Sequence, residues 1–220
     1  LDLLGRAGSD SLDHDLFYVF TRRGGNGIEP DRSPEEPTLR RWVESPVDRQ
    51  GTAYGRARLH RWLPDERVDD LIGWRDASAG GVTARSSARL PGDLRSRASA
   101  TVDGDGSTAY QTPIQDVREQ WVELTYPAPV TLDEVALDVL ADGRHSIPTV
   151  VTLSVDGAPA DTVTFDAEHA EGTGRAKLEH LSAPIAAVTG TTFRFTIDDI
   201  EEVRNRDWFS GSEVVLPVGI

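Results

Sequence analysis

The stretch TVVTLSVDGAPADTVTF, Thr149 to Phe165, constrains the fold most. Val151, Leu153 and Val155 alternate with polar residues, Asp156-Gly157 interrupts them, and Val163 and Phe165 resume the pattern. A period of two sends alternate side chains to opposite faces of a strand, and one of those faces is apolar here. Asp-Gly between two such runs suits a tight hairpin turn, whose central positions need positive φ. The spacing therefore predicts a β-hairpin with one face in a core.

Other segments repeat the signal at short intervals. LFYVFTR (Leu16–Arg22), LRRWVES (Leu39–Ser45) and TAYGRARLHRW (Thr52–Trp62) read as strands. So do VTARSSARL (Val82–Leu90), WVELTY (Trp121–Tyr126) and the part of PAPVTLDEVALDVL (Pro127–Leu140) that follows its proline turn. TTFRFTIDDI (Thr191–Ile200) and SEVVLPVGI (Ser212–Ile220) close the series. GGNGIEPDRSPEEP (Gly24–Pro37) is a loop, and DASAGG (Asp76–Gly81) a linker or wide turn. One helix is expected, in LPDERVDDLIGW (Leu63–Trp74). Pro64 suits its first turn, acids follow at its positive end, and Gly73 can stop it. Val68, Leu71 and Ile72 share a face that should be buried. Twenty Gly and 13 Pro among 220 residues agree with a turn-rich, all-β chain.

Charge and composition exclude several functions. Lys and Arg number 23 against 37 Asp and Glu, a net charge of −14. Such a surface repels phosphate backbones and anionic membranes, which argues against nucleic acid as a partner. Neutral sugars, cations and basic proteins remain. The chain has no Cys, so disulfides and thiolate metal sites are excluded. It has no Met either, and reads as an excised fragment or a processed product. No run approaches the ~20 apolar residues of a membrane helix, and no signal peptide is visible.

The segment ASATVDGDGSTAYQT (Ala98–Thr112) gathers acids, glycines and hydroxyls around a turn. Such hard oxygen donors suit Ca²⁺. An EF-hand count fails: with Asp103 first, Asp105 and Ser107 fit positions three and five, but Thr108 replaces the required Gly and Ile114 the required Glu. A turn whose Asp and Ser side chains bond nearby amides explains the same residues without metal.

In order and spacing, ASATVDGDGSTAY, QWVELTYPAPVTLDEVALDV and GSEVVLPVG resemble the discoidin-like, or coagulation-factor C-type, domain and its carbohydrate-binding relatives. The resemblance runs from about Val82 to Ile220 and implies a jelly-roll β-sandwich. It also implies a structural Ca²⁺ held by Asp103, Asp105 and Glu213, an oxygen of Ser107 or Thr108, and a carbonyl near Ala100. Tyr110 departs from the Trp usual in the family. GRARLHRWLPDERVDDLIG (Gly55–Gly73), ADGRHSIPTVVTLSVDG (Ala141–Gly157) and the closing LPVG narrow it further. They look like the extracytoplasmic region of actinobacterial α-(1→3)-arabinofuranosyltransferases. Those membrane enzymes carry discoidin-like modules, and their glycosyl transfer occurs in the membrane part. The resemblance implies an extracytoplasmic accessory module whose partners are cell-wall arabinan and the rest of such an enzyme.

A sugar site needs planar groups to stack on C–H faces and polar groups to meet hydroxyls. Asp142, Arg144 and His145 cluster in ADGRHSIP, and Trp208 lies in the charged EEVRNRDWF. The alternatives are a polar surface connection and a tryptophan that plugs the sandwich. Catalytic patterns are lacking. There is no GxSxG elbow and no HExxH among the five His, and neighbouring acids are expected in a chain with 37 of them.

The expectation is thus an all-β fold: an N-terminal β section with a short helix over 1–75, and a discoidin-like jelly-roll β-sandwich over 76–220. Its function would be non-catalytic carbohydrate binding, or else a structural or protein-interaction role within the same enzyme.

Overall fold

The computed structural model describes residues 50, 52, 54, 59, 60, 63–166, 178–208 and 210–220. The strands expected at 16–22 and 39–45, and most of 52–62, lie outside these. The chain divides into two compact units, Leu1–Ala57 and Arg58–Ile220. Every element below belongs to the second. They are helix α1 (Asp65–Ile72) and strands β1 (Thr83–Ser86), β2 (Trp121–Leu140), β3 (Ile147–Val155), β4 (Ala158–Thr164), β5 (Leu178–Glu201), β6 (Arg204–Arg206) and β7 (Glu213–Val215).

The hairpin forms where the pattern places it. β3 and β4 pair antiparallel about Asp156 and Gly157, whose φ of 49° and 84° are the left-handed values such a turn requires. The main sheet has the order β1-β2-β5-β3-β4, and β6 and β7 form a separate pair.

β2 is one strand, where the sequence suggests two parted by a turn. At ~3.3 Å per residue its 20 residues would extend about 65 Å, far more than a unit of this size is wide. It fits because it bends. The β2–β5 register shifts between Thr125 and Val130 and again between Leu132 and Glu134. Pro127 and Pro129 fall in the first bulge and Pro184 pairs at the far side of the second, where ladder bonds are already interrupted. Beyond the bend, Val135, Leu137, Val139 and Leu181 fold over Val151, Leu153, Val163 and Phe193 of the main sheet, in a single core. These are the two layers of the sandwich.

The turn and the bend are fastened together. One oxygen of Asp156 accepts from the amides of Thr191 (3.0 Å) and Thr192 (2.9 Å) and from the Thr191 hydroxyl (3.0 Å). These bonds, the Thr192 amide first, hold the Asp156 carboxyl below its ordinary range. Gly190 beside them is tightly packed: a Cβ there would lie 2.3 Å from Val155 Cγ1, so the neighbours would have to shift.

Helix α1 starts after Pro64 and ends at Gly73 in the left-handed conformation, as its sequence signals predict. Its buried face differs from the expected one. Val68 and Asp69 point inward, whereas Leu71 and Ile72 are 64% and 54% exposed. The reason is a set of long-range partners. Asp65 accepts from Arg89 Nε at 2.5 Å and from the Ala98 amide at 3.2 Å. Asp69 accepts from Ser99 Oγ at 2.6 Å and Arg97 Nε at 3.2 Å. The helix is thereby part of the same unit as the sandwich.

Candidate functional site

The 98–112 segment leads from the helix contacts into the sandwich. Ala98–Thr101 is a 3-10 turn, and its Ala98 and Ala100 are buried. Tyr110 is wholly buried among Ala84, Ala98, Val122 and Leu124 and donates its hydroxyl to the Ala88 carbonyl at 2.8 Å. Burial pushes that hydroxyl's pKa well up. Tyr110 is therefore core and not a sugar platform.

Four of the residues implied as calcium ligands do meet. The Thr108 hydroxyl lies 3.0 and 2.8 Å from the two Asp103 oxygens, and the Asp105 amide donates to Asp103 at 2.9 Å. Asp105 accepts from the amide (2.9 Å) and hydroxyl (2.7 Å) of Ser107, and the hydroxyl bond above all holds its carboxyl low. The fifth side chain does not join them. Tyr110 pairs with Ile220, Thr112 with Val218 and Gln115 with Val215. This antiparallel register carries Glu213 away from the end that continues into the 103–108 loop.

Asp103 is further committed to Arg97 Nη2 at 2.9 Å, with both side chains under 10% exposed. A calcium ion needs six to eight oxygens turned to one point. Here the main carboxylate is taken by a guanidinium, and the distal one is elsewhere. The arrangement does not fit the ion, and among the described residues no group of three or more His, Asp or Glu could hold a metal.

The predicted sugar residues form a different cluster. In the turn after β2, where Gly143 has φ 72°, Asp142 accepts from the Arg144 amide and from His145 Nδ1, each at 2.8 Å. Partial burial would raise the Asp142 carboxyl, but these bonds outweigh it and hold it low. His145 Nε2 faces Gln111 Oε1 at 3.4 Å. A protonated ring donates to both acceptors at once, a neutral ring to one. Gln111, absent from the sequence-based set, joins the cluster because it forms an isolated bridge to Gly219, next to the bridge of Ser146 to Val218. No local motif announces that. The Arg144 side chain is exposed.

Ser146 fixes this turn to its neighbours. Its buried hydroxyl donates to the Leu216 carbonyl at 2.7 Å and accepts from the Val203 amide at 3.1 Å. Although it follows His145 in sequence, it is thereby occupied as a clamp and not poised as a nucleophile. Val203 and Leu216 are the two feet of the β6–β7 hairpin, which hydrogen-bond each other at 2.8 Å. Trp208 lies in the loop of that hairpin and is 91% exposed, so it plugs nothing. The loop is closed by Asp207 N to Ser212 O (2.8 Å) and Gly211 N to Asp207 O (2.7 Å). Trp208 is five steps along the chain from Val203, a reach of at most ~17 Å.

A cavity of about 560 Å³ lies elsewhere, between the 100–110 segment and the far arm of β2. Its walls include Tyr126, Leu132, Phe193 and Phe195. Asp103, Asp105, Thr108, Glu134 and Asp138 also line it, and none of Asp142, Arg144, His145 or Trp208 borders it.

No family model and no curated protein matches the chain. Solved structures do. Arabinofuranosyltransferase AftD from Mycobacteria matches at a TM-score of 0.53 and 19% identity over 70% of this chain. The chain spans only 11% of that enzyme. The family 32 carbohydrate-binding module of C. perfringens NanJ, solved with galactose, is similar at a TM-score of 0.42 and 12% identity, over 63% of this chain and 93% of the module. The family 32 module of AlyQ, solved with 4,5-unsaturated mannuronic acid, follows at 0.36 and 18%, over 64% of this chain and 93% of the module. What the AftD likeness establishes is the fold alone: the chain carries a discoidin-like β-sandwich of the kind found within AftD.

Proposed function

We propose that the 58–220 unit is a non-catalytic module that binds cell-wall arabinan, as an extracytoplasmic accessory part of a membrane arabinofuranosyltransferase. The observation that carries this reading is one end of the sandwich. There Asp142, His145 and Gln111 form a hydrogen-bonded set beside exposed Arg144, and the adjoining hairpin presents Trp208. The carboxylate, guanidinium and amide suit sugar hydroxyls, and the indole suits a C–H face. Both lie on loops held by a rigid scaffold, where binding residues gather. A neutral polymer also suits a chain of net charge −14 better than an acidic one. The fold likeness to part of AftD supports the setting.

A second reading, a structural or protein-interaction domain of the same enzyme, is favoured by Leu71 and Ile72, which stand exposed on α1. Titration with arabinan oligosaccharides separates the two. Saturable binding centred on Arg144 and Trp208 supports the first, and no binding at millimolar sugar supports the second.

A further inference from the structure

We infer that the Arg97 guanidinium serves as the resident cation of the Asp103 loop, in the structural role that the resemblance gives to calcium, and that this chain folds and holds the loop without the ion. Arg97 reaches two carboxylates from separate parts of the unit: Asp69 on α1 at 3.2 Å and Asp103 at 2.9 Å. Ser99 adds a hydroxyl bond to Asp69 and Thr108 one to Asp103. Asp65 and Asp69 are one helical turn apart and so share a face. The first takes Arg89 and the second Arg97, on either side of the 3-10 turn Leu94–Ser96. The helix is thus a clasp that supplies the anions, and the 89–103 segment supplies the cations and the third anion.

Calcium at Asp103 would compete with this network. Within a few ångströms of the guanidinium it would meet like charge. Displacing Arg97 would leave that arginine buried with one carboxylate fewer, and stripping a partner from a buried charge is strongly unfavourable. Glu213, which would have to complete the donor set, is drawn away by the pairing of Gln115 with Val215. The ion therefore has no net stabilisation to add.

The test uses the whole 220-residue chain. Its melting temperature is measured with millimolar CaCl₂ and with EDTA, and calcium is titrated while the amides of Gly104–Thr108 are followed by NMR. The expected results are equal melting temperatures within about 1 °C and no saturable shifts. Arg97→Ala, in EDTA, is expected to melt roughly 6 °C or more below the parent chain. A calcium-dependent rise in the parent's melting temperature, saturable shifts in the loop, or an Arg97→Ala chain as stable as the parent would each overturn the inference. If Arg97→Ala does not fold, the calcium titration of the parent chain decides alone.

Discussion

Ser146 Oγ stands between Leu216, to whose carbonyl it donates at 2.7 Å, and Val203, whose amide donates to it at 3.1 Å. One buried hydroxyl thus ties the candidate binding turn to both feet of the Trp208 hairpin. Ser146→Ala leaves a part-buried amide without this acceptor and a carbonyl without this donor. The expected loss is about 1–3 kcal/mol, read from the urea midpoint at unchanged slope. The same variant should weaken sugar binding, because the two loops lose their common anchor.

Trp208 separates binding from stability. At 91% exposure its truncation removes little packing. Trp208→Ala should change stability by no more than about 0.5 kcal/mol. A stacking contact is worth roughly 1 kcal/mol, so sugar affinity should fall several-fold, as calorimetry would record.

Asp142 gives a pH signature. Its folded-state carboxyl is held low. The stability it contributes is therefore present above the unfolded carboxylate range near pH 4 and is lost as pH falls through the lowered value. Asp142→Asn should flatten this acid limb of the stability curve, measured by denaturation from pH 6 to pH 2.5.

The bend of the sandwich depends on a missing side chain. Gly190→Val would place Cβ 2.3 Å from Val155 Cγ1 and 2.8 Å from an Asp156 oxygen. Overpacking of this kind costs about 1–3 kcal/mol, and the Asp156 bonds to Thr191 and Thr192 should loosen with it. Hydrogen exchange at those two amides is the direct readout.

The sequence is legible where its determinants are local. The β3–β4 hairpin carries both alternation and an Asp-Gly turn, and α1 carries a proline start and a glycine stop. The first half of β5, LEHLSAPIAAVTG, gives neither signal. Its small and polar residues, with a proline among them, become a strand because β2 lies alongside. The buried face of α1 is illegible for a related reason: Asp69 is inward because Arg97 and Ser99, about thirty residues away, receive it. Asp142 and His145 are neighbours in sequence and meet in the structure. Gln111 joins them only through the pairing of the 110–112 segment with the chain end. The loop at Asp103 identifies the fold through its pattern, while its partner Arg97 carries no motif.

The most direct test of the binding reading is titration of the isotopically labelled 220-residue chain with arabinan oligosaccharides, followed by NMR. Binding predicts saturable shifts at Arg144, His145 and the Trp208 indole, which the Trp208→Ala and Asp142→Asn chains lose or reduce. An unchanged spectrum at millimolar oligosaccharide would contradict it.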